Sequence, residues 1–169
     1  MIEQIATQKM HLLIKPLIGL RCCRKQIGYR RSLSLGFGKK IPNNEPRTRD
    51  GFYGEWEIMT YESAWRVIKD GEIICASHDV TSSLTPDHPP DLDKAFQKIP
   101  FGRFLSIRQK NKWDFEIRFD SGISIELFAA ASHGDKGDFI VIFCPWEKCL
   151  SVDLQGKWIY EDIRGGGSF

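Results

Sequence analysis

Residues 54–77 read GEWEIMTYESAWRVIKDGEIICAS, and this stretch decides the fold class. Trp56 and Ile58 lie two residues apart, as do Trp65 and Val67. That spacing puts side chains on one face of a strand. Asp70-Gly71, between Lys69 and Glu72, is the dipeptide of a two-residue hairpin turn, where Gly71 takes a positive φ freely. Ile73, Ile74, Cys75 and Ala76 form a continuous apolar run, which predicts a strand buried on both faces with Cys75 as a small core residue. Arg66, a cation between Trp65 and Val67, fits either an open surface or a carboxylate partner.

Upstream, Leu20–Ile27 and Ser32–Gly38 flank Gly28-Tyr29-Arg30-Arg31 and predict a hairpin. Residues 2–10 have the apolar spacing of a short helix, and residues 39–53, with two prolines and paired Asn, predict a loop. Downstream, residues 78–91 hold three prolines and predict another loop. A helix follows, with Asp91 as N-cap, Asp93 in the positive first turn, an apolar stripe of Leu92, Ala95, Phe96 and Ile99, and Pro100 ending it.

The rest predicts a meander. Trp113, Phe115, Ile117 and Phe119 alternate with Asp114, Glu116 and Arg118, and Asp120-Ser121-Gly122 turns the chain into Ile123, Ile125 and Leu127. Residues 131–138 are polar, Phe139–Cys144 is a second buried run, and Leu150, Val152 and Leu154 lead through Gln155-Gly156 to Trp158 and Tyr160. The expected fold is α+β and mainly antiparallel. Roughly eight to ten strands would curl into a half-barrel or form two layers, with one or two short helices.

The 169 residues fit a single domain over 1–169, with 1–16 and 164–169 peripheral. Hydrophobic residues make up 41% and aromatics 12%, a globular composition. Net charge is +2, but residues 1–50 carry eleven Lys/Arg against three Asp/Glu (+8) and the remainder thirteen against nineteen (−6). The chain is therefore charge-polarised. Residues 10–20, MHLLIKPLIGL, are too short and too interrupted for a membrane span. Five cysteines without a recognisable leader lead us to expect reduced thiols and a cytoplasmic setting.

No motif assembles a catalytic set, so no enzyme activity is expected. Cys144 and Cys149 form a C-x4-C pair with no second pair and no histidine at ligand spacing, so neither metal nor cofactor is expected. Cys22-Cys23, adjacent on a strand, point to opposite faces and are not a redox pair. His78-Asp79 with Ser82 or Ser83 has no nucleophile elbow. Gly36-Phe-Gly-Lys-Lys40 lacks the ending and the helix of a phosphate loop. Arg21, Arg24, Lys25, Arg30 and Arg31 could meet phosphates and Tyr29 could stack on a base, yet no nucleic-acid motif accompanies them, and no nucleic-acid partner is expected. The candidate partner-binding residues are Asp79, Asp87, Asp91, Asp93, Asp135, Asp138 and Trp146. Gathered at one end of the sheet, they would form an acidic rim for a basic protein.

The run LIGLRC at 17–22, the strand SLSLGFG, the stretch YGEWEIMTYESAWRV with Ala64-Trp65-Arg66 at its centre, and the strand–turn–strand FDSGISIEL resemble a family of small bacterial β-rich proteins. The resemblance covers most of residues 17–130. In size and lack of catalytic residues the chain also looks like an immunity protein. The resemblance implies a cytoplasmic protein that neutralises a cognate toxin of a contact-dependent growth inhibition or polymorphic toxin system by direct binding, a nuclease being one such toxin. Partners of nuclease toxins are often acidic throughout, whereas here only 51–169 is. The alternative is a β-domain that binds a small ligand or nucleotide in a concave pocket lined by Trp56, Trp65, Arg66 and Trp113.

Overall fold

The computed structural model describes residues 9–44, 50–61, 63–79, 90–130 and 137–163. Among the described residues, eleven strands run in chain order: β1 (Cys22–Ile27), β2 (Leu33–Pro42), β3 (Phe52–Thr60), β4 (Ser63–Lys69), β5 (Glu72–Ala76), β6 (Phe104–Gln109), β7 (Asp114–Phe119), β8 (Ile123–Ala129), β9 (Asp138–Cys144), β10 (Lys148–Asp153) and β11 (Trp158–Asp162). A helix α1 covers residues 9–14, and α2 is Pro90–Gln97. The strands form two antiparallel sheets, ordered β1-β2-β3-β9-β10-β11 and β5-β4-β8-β7-β6, rather than a closed barrel.

The decisive stretch is divided between the layers. β3 pairs with β2 and β9 in the six-stranded sheet, and β4 pairs with β5 and β8 in the five-stranded one. The chain changes sheet between Thr60 and Ser63, so Trp56 and Trp65 enter one core from opposite layers. Aromatic contacts join the layers. Phe37 of β2 meets Phe104 and Phe119 at centroid distances of 5.6 and 6.3 Å, and Phe115 of β7 meets Phe139 and Trp158 at 5.6 and 5.7 Å. Such pairs add about 0.5–1.5 kcal/mol each beyond the area they bury.

α2 covers the end of the sandwich beside β1. Leu92, Phe96 and Ile99 are buried, and Phe96 packs against Trp65 and Phe101. Lys25 Nζ donates to the carbonyls of Gln97 (2.5 Å) and Ile99 (2.7 Å), placing a cation on the negative end of the helix. Burial pushes the Lys25 pKa down, consistent with an ammonium enclosed by the elements it joins.

Most sequence expectations match. The hairpin expected from 20–27 and 32–38 (observed as Cys22–Ile27 with Leu33–Pro42), the Asp70-Gly71 turn with both φ positive (53° and 82°), the alternation from Phe115 to Leu127 and the doubly buried β9 are all present, while Trp113 stands before β7 and is 43% exposed. Five details differ. Ile73 and Ile74 of β5 are 56% and 45% exposed, because β5 is an edge strand that among the described residues pairs only with β4. β2 and β3 extend into the expected 39–53 loop through the pairs Lys40–Gly54, Ile41–Tyr53 and Pro42–Phe52, in a polar ribbon that projects past the core. α2 starts at Pro90, a favoured first helical residue, so Asp91 lies inside the first turn instead of capping it. Ala95 is exposed, and Asp93 occupies the buried place on the helix. The N-terminal helix covers 9–14, and residues 2–8 of the expected 2–10 helix lie outside the described residues. Among the described residues, no helix is long and apolar enough to cross a membrane.

Candidate functional site

Strand alternation sends Trp65, Val67, Phe115, Ile117, Ile125 and Leu127 inward and the residues between them outward. The register then aligns Arg66 with Glu126, Glu126 with Glu116, and Glu116 with Arg108, one row across four strands of the five-stranded sheet. Two carboxylates directly opposite each other repel. Cations resolve the conflict. Arg66 Nη2 reaches Glu126 Oε2 at 2.6 Å, and Lys110 Nζ donates to Glu126 Oε1 at 2.8 Å. Arg108 Nε donates to Glu116 Oε2 at 2.7 Å, with Arg118 Nε at 3.9 Å from the same oxygen. The Arg66 guanidinium also lies 5.0 Å from the centroid of the Phe128 ring.

Glu116 and Glu126 are only 9% and 7% exposed, while the four cations spread over the open face. The hydrogen bond from Lys110, then Arg66, holds the Glu126 carboxyl below its ordinary range against the opposing effect of burial. Four cations against two carboxylates leave a surplus of two positive charges. Arg66 is thus a surface cation and a carboxylate partner at once.

The outer face of the six-stranded sheet carries a different cluster. Arg24 and Glu57 are each 5% exposed. Glu57 Oε1 accepts from the Gly54 backbone N–H (2.7 Å), and Oε2 accepts from Ser34 Oγ (3.2 Å) and Arg24 Nη1 (3.3 Å). Arg24 also donates to Ser34 Oγ (2.7 Å) and to Gln26, lies 3.2 Å from Asp50 Oδ2, and stacks on Tyr53 at 5.0 Å. Two glycines make room. A Cβ on Gly36 would stand 2.6 Å from Glu57 Oε1, and one on Gly54 would stand 2.4 Å from the Phe37 backbone N. Burial raises the Glu57 pKa, with Arg24, Gly54 and Ser34 opposing. Both carboxylate oxygens are committed to partners within the fold, so Glu57 anchors the sheet. A cleft of about 390 Å³ beside it is walled largely by apolar groups such as Tyr53, Phe143 and Pro145.

A second cleft, of about 440 Å³, lies between the 29–32 turn, Tyr61–Ala64 and Ser77–His78. Arg30 and Arg31 both have left-handed φ (50° and 61°), which disfavours residues with a Cβ. Surrounding bonds fix them. Arg31 Nη1 donates to the carbonyls of Ser77 and Asp79, and the Arg31 carbonyl accepts from Trp65 Nε1 at 2.7 Å. Ser77 Oγ lies 3.1 Å from His78 Nδ1 but is 3% exposed and accepts from the Trp65 N–H, so it offers no accessible nucleophile.

The seven expected partner-binding residues do not all share one rim. Asp93 is 4% exposed and accepts from the Ile27 N–H (2.6 Å) and Gln97 Nε2 (2.9 Å), internal work that takes it off the surface. Asp138 opens β9, and Trp146 lies two residues past the strand's other end. Trp146 packs edge-on against Trp56 at 5.1 Å and donates to Tyr160 Oη. Asp79 Oδ2 accepts from the Ala76 N–H (2.9 Å), and Asp91 is exposed in the first turn of α2. The Tyr61 pKa is pushed up mainly by burial and then by Asp138, placing Asp138 at the same end as the second cleft. Asp87 and Asp135, with most of the 78–91 and 131–138 loops, lie outside the described residues.

The pocket expected from Trp56, Trp65, Arg66 and Trp113 does not assemble. Both Trp56 and Trp65 are core, and Arg66 faces away from them. Cys144 and Cys149 are buried, and burial pushes the Cys144 thiol up to about 12. Cys22 and Cys23 are both half-buried, a bulge in β1 having removed the simple alternation.

The charged row was within reach of the sequence. Glu116 and Arg118 alternate with core residues, and counting back from Asp120-Ser121-Gly122 sets Glu126 opposite Glu116. The Arg24–Glu57 pair spans 33 positions and left no local signal. No family model, curated protein or solved structure matches the chain.

Proposed function

We propose that this chain is a binding protein whose working surface is the outer face of the five-stranded sheet. In this reading it is an immunity protein that holds and occludes a toxin domain in the cytoplasm. The observation that carries the reading is the Arg66–Glu126–Glu116–Arg108 row with Lys110 and Arg118 beside it. Ion pairing on a rigid sheet holds long cationic side chains in place, which lowers the entropy lost when a partner docks. The surplus charge favours a partner surface bearing carboxylates and would accelerate encounter. An acidic partner reverses the sign expected from the aspartate-rich loops.

The test is co-expression with the toxin domain encoded beside its gene. The proposal expects rescue of growth and a complex that weakens with added salt. Neither rescue nor complex would reject the toxin partner. A complex indifferent to Arg118→Glu would reject the sheet face as its docking surface.

A further inference from the structure

We propose that the surface formed by α1, Ile18 and the start of β6 docks on an anionic lipid bilayer. The site is independent of the partner-binding reading, because it uses none of the four cations of the charged row.

The chain ahead of β1 builds it. Gly19 N–H donates to the Phe104 carbonyl (2.8 Å), Phe104 N–H to the Leu20 carbonyl (2.9 Å) and Cys22 N–H to the Gly102 carbonyl (2.8 Å). Residues 19–22 therefore run antiparallel to 102–104, and the register sets Arg21 directly opposite Arg103. Both arginines are exposed. Like charges directly opposite each other repel. The Arg21 guanidinium has no bond or ion pair among the described residues, and Arg103 Nη1 donates to the Gly19 carbonyl at 2.9 Å. The carboxylates that flank the pair are turned to backbone instead. Asp120 Oδ1 accepts from the Arg103 N–H (2.7 Å), and Glu55 Oε2, packed over Gly38, accepts from the Lys39 N–H (3.4 Å). Two neighbouring guanidiniums without a carboxylate partner suit the phosphates of lipid headgroups.

Apolar groups adjoin this pair. Continuing the register past Gly19 brings Ile18 beside Leu105, and the two are 50% and 45% exposed. α1 leads into the same corner. Met10, Ile14 and Leu17 face the core, which leaves Leu12 on the outer side of the helix at 71% exposure. Lys9 and Lys15 stand three residues to either side of it on that surface, exposed and without ion pairs among the described residues. A single exposed leucine needs no explanation. Three large aliphatic groups accompanied by four cations make the pattern of interfacial binding. Apolar side chains enter the headgroup boundary while Lys and Arg meet anionic lipids, and no spanning helix is needed. Charge complementarity selects an anionic surface, since Lys9, Lys15 and Arg21 belong to the first fifty residues with their +8 excess.

Co-sedimentation of the full chain with vesicles tests the proposal. Binding is expected to vesicles of equal parts phosphatidylcholine and phosphatidylglycerol, weakening as salt is added, and not to phosphatidylcholine alone. Arg21→Glu replaces a repelling pair by an attracting one, so it should keep or raise the Tm while weakening vesicle binding about tenfold or more. Leu12→Gln keeps a good helix former at an exposed position, so the Tm should hold while binding falls about tenfold. Glycerophosphoglycerol, the headgroup without its chains, should not displace the protein at concentrations matching the lipid. The proposal is overturned by the absence of co-sedimentation, by equal binding to the neutral vesicles, or by unchanged binding in both variants. Displacement by the free headgroup would equally overturn it.

Discussion

Two glutamates on the two outer sheet faces solve the same problem in opposite ways. Glu57 is enclosed with Arg24, Ser34 and the Gly54 N–H, and burial raises its pKa. Glu126 is equally covered, but Lys110 and Arg66 reach it from the open side and its pKa is lowered. Charge is locked inside the six-stranded sheet and displayed on the five-stranded one. The first cluster specifies the packing of β1, β2 and β3, and the second leaves cations available to a partner.

The largest expected break in this comparison is Arg24→Met. It leaves a buried carboxylate without its cation and should cost about 3–5 kcal/mol in denaturant unfolding. Gly54→Ala comes next, at about 1–3 kcal/mol or more, because the new methyl group meets the Phe37 and Gly36 backbone rather than a movable side chain. Arg118→Glu should change stability by no more than about 1 kcal/mol, since Arg118 is itself exposed and its 3.9 Å approach to Glu116 is long beside the 2.7 Å bond from Arg108.

The two glutamates should also have opposite pH signatures. The Glu126 pKa lies below its ordinary 4.5, so its stabilisation is present above that value and is lost as pH falls through the folded pKa. The Glu57 pKa lies above its ordinary 4.5, so its contribution is present below that value and is lost as pH rises through the folded pKa. Unfolding curves across the acid range should therefore show a shallower acid loss for Glu126→Gln. Glu57→Gln should instead abolish a decline that sets in above pH 4.5.

The sequence showed the strands and hid their partners. Alternation at Phe115–Phe119 and Ile123–Leu127 sets the inward face, and Asp70-Gly71 sets a turn, because each depends on neighbours in the chain. β5 failed because period-2 reasoning sees composition and not position in a sheet. Ile73 and Ile74 resemble a central strand, and only the order of strands makes them an edge. Asp93 failed as a surface residue for a similar reason, since the Ile27 N–H that draws it inward lies 66 positions away. Gly36, Gly54, Ser34 and Glu57 were visible as residues of ordinary strand text, and the long-range pairing of β1, β2 and β3 makes them one unit.

The most direct test of the central claim compares the wild type with Arg118→Glu, co-expressed with the toxin domain encoded beside the gene. The substitution takes the charge of the ladder from a surplus of two to zero. The account predicts growth and a co-purifying complex with the wild type, and loss of both with a variant that stays folded and loses no more than about 1 kcal/mol of stability. Equal rescue and equal complex formation by both proteins would contradict it.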